Sequence, residues 1–147
     1  MRLKWSNIPI PEAHITGLLA GFLINFLYPL GVNFPQWLRN ILGWPAIGIG
    51  IFLAGWAVIT VADMDIASPT GIITNGPFAF SRNPMYVGWT LISLGIALIL
   101  NNIWIFLFLI VAVIYTHKFV ILKEEHSLED QFGEQYRKYK HAVRRYL

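Results

Sequence analysis

Four long apolar runs, separated by short polar breaks, constrain this sequence more than any other feature. They cover residues 13–30, 41–62, 85–100 and 103–122. A soluble domain of 147 residues, of which 56% are hydrophobic and 13% charged, could not cover so much apolar surface. Runs of this length suit helices in a bilayer. We therefore predict an all-α integral membrane bundle with about four transmembrane helices.

The last two runs are separated only by Asn101 and Asn102, which predicts a tight turn between two antiparallel helices. As a helix, run 85–100 would rise about 24 Å, which is less than the thickness of the hydrocarbon core of a bilayer. The resulting helical hairpin either spans the membrane or inserts part-way, and the sequence leaves both options open.

The basic residues predict which side of the membrane each loop faces. Four spans put both termini on one side, and that side holds all 11 Lys and Arg residues, including Arg2 and Lys4, except Arg39. By the positive-inside rule, we expect a multi-pass protein with both termini and loop 63–84 in the cytoplasm. Aromatic rings typical of membrane interfaces lie near the ends of the runs: Trp5, Trp37, Trp44, Tyr86 and Trp104.

Composition excludes several classes of function. The chain has no cysteine, so disulfides, thiolate nucleophiles and cysteine-ligated metals are excluded. Its 4 histidines are scattered without the spacing of metal ligands, and we expect no metal site. The net charge of +3 comes without any nucleic-acid-binding signature, so no nucleic-acid partner is expected.

Run 41–62 carries small residues at helical spacing. Ala46, Gly50 and Ala54 recur every four residues, which places them on one face of a helix. Because small side chains let membrane helices approach closely, we predict that this face packs on another helix.

The polar tail after the fourth run has an amphipathic pattern. Its apolar residues recur three or four positions apart and predict a helix: Leu128, Phe132, Tyr136, Tyr139 and Val143. Gly133 is expected to bend or interrupt that helix. Two interpretations stay open. The helix could lie on the membrane surface as a basic amphipathic helix, or its hydroxyl-bearing rings could help to line a polar pocket.

Two polar segments should meet where the hairpin returns. Residues 74–82 precede the third run, whereas Glu124 and Glu125 follow the fourth. Because the hairpin brings the chain back, both segments lie at the same membrane boundary. Ionisable residues at such a position raise the expectation of a functional site.

The triplet Arg82-Asn83-Pro84 stands at the start of the third run. Asn83 is a candidate N-cap, and Pro84 suits the first turn of a helix because its missing N–H group is not needed there. Arg82 could anchor the helix end by reaching to the interface, or it could hold an anion for chemistry.

The segments GPFAFSRNPMYVGW and EEHSLEDQFGEQYRKYKHAV, in this order and at this separation, resemble the isoprenylcysteine carboxyl methyltransferase family. More broadly, they resemble the membrane methyltransferases that include the phospholipid methyltransferases. The resemblance covers about residues 72–143. It implies an integral membrane enzyme that uses S-adenosylmethionine on a lipid-like or amphipathic substrate. We therefore interpret 1–147 as one membrane domain, with the first two runs in 13–62 and the catalytic core in 72–147.

The resemblance also implies roles for individual residues. It places the cofactor site at Asn83, Pro84, Tyr86, Gly88, Glu124, Glu125, Tyr136 and Tyr139. We further expect catalysis at Arg82 and Glu124, and substrate binding at Arg82, Trp89 and Arg144. The fork of donors on Arg82 suits a substrate carboxylate. Either glutamate could bind hydroxyl or amino groups of the cofactor or favour its sulfonium, and could act as a base for an amine nucleophile.

Two departures from the family pattern bear on the substrate. The histidine of the family is Asn83 here, which cannot titrate, so no general base is expected at this position. The family also places a basic residue before, and a proline after, the valine of its last motif, whereas Ala142 and Arg144 flank Val143 here. A substrate-binding arginine would then be Arg144 or Arg145, and a prenylcysteine carboxylate is less well supported as the substrate.

Two other functions remain compatible with the sequence. One is a membrane reductase on a related scaffold, since sterol reductases share a similar tail motif. The other is a non-enzymatic membrane interaction protein whose basic tail binds anionic lipid. Saturable binding of S-adenosylmethionine would separate the methyltransferase from both alternatives.

Overall fold

A computed structural model describes residues 11–62 and 70–147 of the chain, and within those ranges the fold is helical without a β-strand. The helices are α1 (Glu12–Leu27), α2 (Gln36–Val61), α3 (Pro84–Ile99), α4 (Ile103–Tyr115), α5 (Leu122–Phe132) and α6 (Glu134–Ala142). A 3₁₀ turn covers Gly76–Ala79, and a π-helical segment covers Thr116–Ile121. The predicted orientation and interface positions rest in part on Arg2, Lys4 and Trp5. These three residues lie outside the described part of the chain.

Two helical stretches are long and apolar enough to cross a membrane. These are α2, with 26 residues, and the continuous stretch Ile103–Phe132, with 30 residues. Helices α1 and α3 have 16 residues each and therefore rise about 24 Å, which is less than a typical hydrocarbon core. The prediction of four transmembrane helices is thus supported for two of them, and the other two are shorter apolar helices.

The outer surface of the bundle is strongly apolar. Phe26 is 81% exposed, Phe52 66% and Phe119 63%, on three different segments. Such side chains normally form the core of a water-soluble protein, and so many exposed together indicate contact with lipid. The all-α membrane bundle predicted from the sequence is consistent with this surface.

The helices pack as a row in the order α2, α3, α4 and α1. Helix α3 packs against α2 and α4, and α1 packs mainly on α4. At one end of the row, the amide of Ile103 donates to the carbonyl oxygen of Leu30 at 3.0 Å, which joins the α3–α4 turn to the α1–α2 loop. The starts of α1 and α3, together with the polar tail, lie at the opposite end.

The turn between α3 and α4 confirms the predicted hairpin. Asn101 adopts a positive φ of 52°, a left-handed conformation that asparagine tolerates better than most residues. The side-chain oxygen of Asn102 accepts hydrogen bonds from the amides of Trp104 and Ile105 and so caps α4. Its side-chain nitrogen donates to the carbonyl oxygen of Gly21 at 3.3 Å, which ties the turn to α1.

Helices α2 and α3 cross closely because both present glycine at the contact. A Cβ on Gly50 would lie 2.6 Å from the carbonyl oxygen of Gly88, and a Cβ on Gly95 would lie 2.6 Å from that of Gly43. Ala54 also lies in this contact. The predicted packing face is therefore confirmed at Gly50 and Ala54 and has α3 as its partner, as expected for membrane helices. Ala46 is only half-buried.

The tail differs from the predicted separate helix. Helix α4 continues through the π segment into α5, so the glutamates lie on the same continuous stretch as the fourth apolar run. Gly133, with φ of 51°, separates α5 from α6 as predicted. Tyr136 and Tyr139 are 1% and 9% exposed, so this face packs on the protein itself. The structure thus argues against a helix whose apolar face lies on the membrane surface, and it buries both rings against the rest of the protein.

Glycine at the α2–α3 crossing gives a prediction about stability. Gly50→Ala forces a methyl group against backbone atoms and should lower the free energy of unfolding by about 1–3 kcal/mol. Gly48→Ala on the same helix is the matched control, since its Cβ would meet nothing within 4 Å. It should be neutral or stabilise by up to about 1 kcal/mol. Denaturant titration in mixed micelles measures both, and equal effects would contradict the close crossing.

The arrangement of helices also predicts a topology. Asn40 and Lys138 are exposed near opposite ends of the bundle, and the chain has no native cysteine. Single variants Asn40→Cys and Lys138→Cys should react with a membrane-impermeant maleimide from opposite sides of sealed vesicles. Labelling of both from the same side would contradict a bundle that spans the membrane.

Candidate functional site

The two polar segments predicted to meet do so at the end of the bundle where α3 begins. Arg82 Nη2 lies 3.2 Å from Glu125 Oε1. The hydroxyl of Tyr86 donates to Glu124 Oε1 at 3.1 Å, and the hydroxyl of Tyr139 donates to the carbonyl oxygen of Phe78 at 2.7 Å. Residues separated by about forty to sixty positions are thus joined by three side-chain contacts.

Glu125 is the centre of this contact region. It is 6% exposed, and both of its oxygens are engaged by Arg145, whose Nε and Nη2 donate at 2.9 Å and 2.8 Å. This bidentate pair raises the pKa of Arg145, first through the hydrogen bond to Glu125. With Arg82 on the same carboxylate, one buried negative charge is shared by two arginines. We call Arg82, Glu125 and Arg145 the charge cluster.

Arg82 retains unused hydrogen-bonding capacity. Its side chain is 7% exposed, and Nε and Nη1 are buried without a partner among the described residues. A buried donor without a partner is costly, and guanidinium groups pair well with carboxylates through two parallel hydrogen bonds. These two nitrogens are therefore suited to hold an anionic group of a ligand.

The segment after α6 is fastened to the start of α3. Ser81 and Arg144 form an isolated parallel β-bridge, in which the amide of Arg82 donates to the carbonyl oxygen of Arg144 at 2.9 Å. The side-chain nitrogen of Asn83 donates to the carbonyl oxygen of Arg145 at 3.2 Å. Asn83 is thus the N-cap residue of α3, as predicted, but its side chain makes no capping hydrogen bond to the helix and contacts the tail instead.

Tyr136 and Tyr139 form the inner face of α6. Their ring centroids lie 6.1 Å apart. Burial, followed by the negative charge of Glu125, raises the pKa of Tyr136 to about 12. Burial is also the main cause that raises the pKa of Tyr139 to about 12. Both phenols therefore stay neutral near pH 7 and can only donate or accept hydrogen bonds there.

The other predicted site residues lie on α3 or in the first turn of α5. Pro84 is buried in the first turn of α3, and Glu124 is at an exposed edge beside Tyr86. Gly88 faces α2, where its own Cβ position lies 2.8 Å from the carbonyl oxygen of Gly50, which gives it a packing role. Trp89 is half-buried on α3.

Arg144 and Arg145 differ in where their side chains lie. Arg144, predicted to bind substrate, is exposed and contributes its backbone to the β-bridge. Arg145 instead reaches the buried carboxylate of Glu125. Of the two candidates that the sequence left open, the structure therefore brings Arg145 into the cluster.

A cavity of about 390 Å³ lies between α1, α3, α4 and the tail. Tyr86 and Thr90 of α3 line it together with His14 of α1 and Tyr146 of the tail. Tyr146 is held in this wall by a 2.6 Å hydrogen bond with His117. The cavity lies beside Tyr86, whereas the segment 124–139 does not line it.

The sequence did not predict a site role for His14, which lines the cavity. It lies on α1, outside both motifs, and a single histidine near the start of an apolar run gave no spacing signal. Only the packing of α1 against the rest of the bundle brings this residue to the cavity.

Comparison with known proteins identifies the family to which the chain belongs. The family model for phospholipid methyltransferases matches residues 38–135, which include most of α2, the hairpin, Arg82 and both glutamates. The chain belongs to this family. The resemblance to membrane methyltransferases inferred from the two motifs is thereby confirmed.

Two relatives extend the comparison. The chain is 29% identical over 138 residues to a protein-S-isoprenylcysteine O-methyltransferase of Tribolium castaneum, a match that covers 89% of this chain and 48% of that protein. The chain thus spans about half the length of this relative. It is also 41% identical over 63 residues to an uncharacterized protein of Haemophilus influenzae, which covers 43% of this chain and 100% of that protein.

The charge cluster predicts that two neighbouring arginines have different effects on stability. Arg145→Ala leaves the buried carboxylate of Glu125 with only part of its compensation and should destabilise the protein by about 2–3 kcal/mol. Arg144→Ala removes an exposed side chain and should change stability by less than about 0.5 kcal/mol. The free energy of unfolding in micelles measures both changes, and a larger effect at Arg144 would refute the assignment.

Proposed function

We propose that the chain is an integral membrane methyltransferase that uses S-adenosylmethionine and acts on a lipid-like or amphipathic substrate, with a carboxylate as the preferred methyl acceptor. Membership of the phospholipid methyltransferase family supports a membrane methyltransferase. The observation that carries the proposal further is the buried guanidinium of Arg82, whose Nε and Nη1 have no partner among the described residues.

Arg82 is suited to orient a carboxylate. Its Nη2 is already fixed by Glu125, so the planar group is held in one orientation before any ligand binds. A carboxylate nucleophile arrives ionised and needs no base, so alignment and removal of water account for much of the catalysis. An acceptor held at Arg82 would be aligned by the arginine and removed from water, because the arginine side chain is almost fully buried.

The residues around the charge cluster fit the proposed methyl donor. When bound, S-adenosylmethionine supplies a methyl group on a positively charged sulfur. Glu124 and Tyr86 form a polar pair at the edge of the contact region, and the Glu124 carboxylate suits hydroxyl or amino groups of such a molecule. Its negative charge also favours a nearby cation. The neutral phenol of Tyr136 borders the charge cluster, with the Tyr139 ring beside it.

The apolar part of the protein suits a substrate taken from the bilayer. The cavity beside Tyr86 has mainly apolar walls, formed in part by Val87, Leu91 and Val113. In this proposal, residues 72–147 form the catalytic core and α1 and α2 support it. Both ends of the described chain lie at the end that holds the charge cluster, which we assign to the cytoplasmic side by the positive-inside rule.

A methyl-transfer assay tests the proposal directly. Purified protein in lipid nanodiscs is incubated with methyl-labelled S-adenosylmethionine and host lipid extract, and labelled products are separated before and after mild alkali, which cleaves methyl esters. Transfer into an alkali-labile lipid product is expected. Arg82→Ala should lower kcat/KM by about 10²-fold, in line with the loss of a charge-stabilising donor at an active site.

Two further variants sharpen this test. Glu125→Gln should weaken transfer because Arg82 loses the anion that orients it, while Lys138→Ala, at an exposed position of α6, serves as the control. Far-ultraviolet circular dichroism verifies that each variant is folded. Absence of saturable donor binding, or transfer by the folded Arg82 and Glu125 variants at the wild-type rate, would refute the proposed site.

A further inference from the structure

The cavity wall includes a histidine with a buried polar atom to which the proposed reaction assigns no role. His14 is 2% exposed and lines the cavity. Its Nε2 lies 3.1 Å from the hydroxyl oxygen of Thr90, whereas Nδ1 is buried without a partner among the described residues. Buried polar atoms in native proteins are nearly always satisfied, so this orphaned atom calls for an explanation.

The hydrogen bonds around Thr90 determine which ring nitrogen carries the hydrogen. The hydroxyl of Thr90 donates its only hydrogen to the carbonyl oxygen of Tyr86 at 2.8 Å. Towards His14 it can therefore only accept, and Nε2 must be the protonated nitrogen. In the neutral imidazole, Nδ1 is then left with a free lone pair. The unsatisfied atom of His14 is thus a hydrogen-bond acceptor, on a side chain whose orientation is fixed by Thr90.

The π-helical segment forms another part of the cavity wall. Thr116 and Ile121, the first and last residues of this segment, both line the cavity. They are five positions apart, which is the spacing of the hydrogen bonds in a π-helix. Such local π segments occur frequently at functional sites. The rest of the wall is mostly apolar. The cavity wall therefore combines apolar side chains with a histidine whose Nδ1 lacks a hydrogen-bond donor.

We propose that this cavity binds an amphipathic molecule whose polar end carries a hydrogen-bond donor, a hydroxyl or an ammonium group, which donates to Nδ1 of His14. The apolar chain of that molecule contacts the aliphatic walls. The proposal deepens the proposed function, since it defines a second recognised group on the substrate besides the carboxylate held by Arg82. It makes His14 and Thr90 determinants of specificity on α1 and α3.

Nitrogen-15 spectroscopy of histidine-labelled protein in nanodiscs tests the tautomer. The His14 signals, identified by their loss in His14→Gln, should show hydrogen on Nε2 and none on Nδ1. Addition of 1-dodecanol should shift the Nδ1 signal, whereas dodecyl methyl ether, which has no donor, should not. Dodecylammonium in a parallel sample distinguishes an ammonium from a hydroxyl as the better donor.

The affinity of the protein for the alcohol relative to the ether gives a second measure of the proposed hydrogen bond. Wild-type protein should bind 1-dodecanol about tenfold more tightly than the ether, as expected for a hydrogen bond to a buried acceptor that is otherwise unsatisfied. In His14→Gln the amide keeps a donor for Thr90 but lacks the imidazole nitrogen at the Nδ1 position, and the ratio should fall towards one. Thr90→Val should mix the two tautomers and reduce the ratio, and Thr90→Ser should restore it.

Each outcome bears on the proposal. Hydrogen on Nδ1 of wild-type His14, or equal affinities for the alcohol and the ether, overturns it. If His14→Gln does not fold, the wild-type spectrum and affinity ratio decide the question, together with the two Thr90 variants. Because binding is measured without a methyl donor, a cavity that selects the alcohol in a protein that transfers no methyl group would support this site while refuting the proposed reaction.

Discussion

A buried carboxylate that must be neutralised organises the polar end of this molecule. Glu125 lies on a helix that continues directly from an apolar span, and a lone negative charge at such a position would be costly. Arg82 and Arg145 compensate it from two other parts of the chain. The pairing of Glu125 with these two arginines therefore also brings together the start of α3, the helix that follows α4 and the segment after α6. The candidate site is a consequence of that requirement.

The glycine contact between α2 and α3 supports the same end of the molecule from the other side. Gly88 faces α2 one turn after the start of α3, so the close crossing fixes the position of the segment that carries Arg82. The loop before it is also held on α2, where the rings of Trp56 and Phe80 lie 5.9 Å apart. Packing without polar contacts thus positions a polar site, which agrees with the general dependence of membrane helix association on shape.

Sequence patterns predicted the parts of the fold that depend on local chemistry. The hairpin turn at Asn101 and Asn102, the small-residue face around Gly50 and the meeting of the two polar segments all follow from spacing and from chain reversal. The contact of Asn83 with Arg145 could not be predicted, because its partner is a backbone carbonyl 62 residues away and no pattern marks it. The role of His14 depends on how α1 packs, which periodicity does not determine.

The unequal lengths of the helices have a consequence for the surrounding lipid. Helices α1 and α3 have 16 residues each, whereas α2 has 26. A hydrocarbon layer of about 30 Å exceeds the rise of the short pair and falls below that of the long helix. Lipids beside the short helices must thin while the long helix tilts, a hydrophobic mismatch whose cost depends on the thickness of the membrane. Acyl chains adjoining α1 and α3, the two short helices that both line the cavity, are thereby drawn towards the midplane.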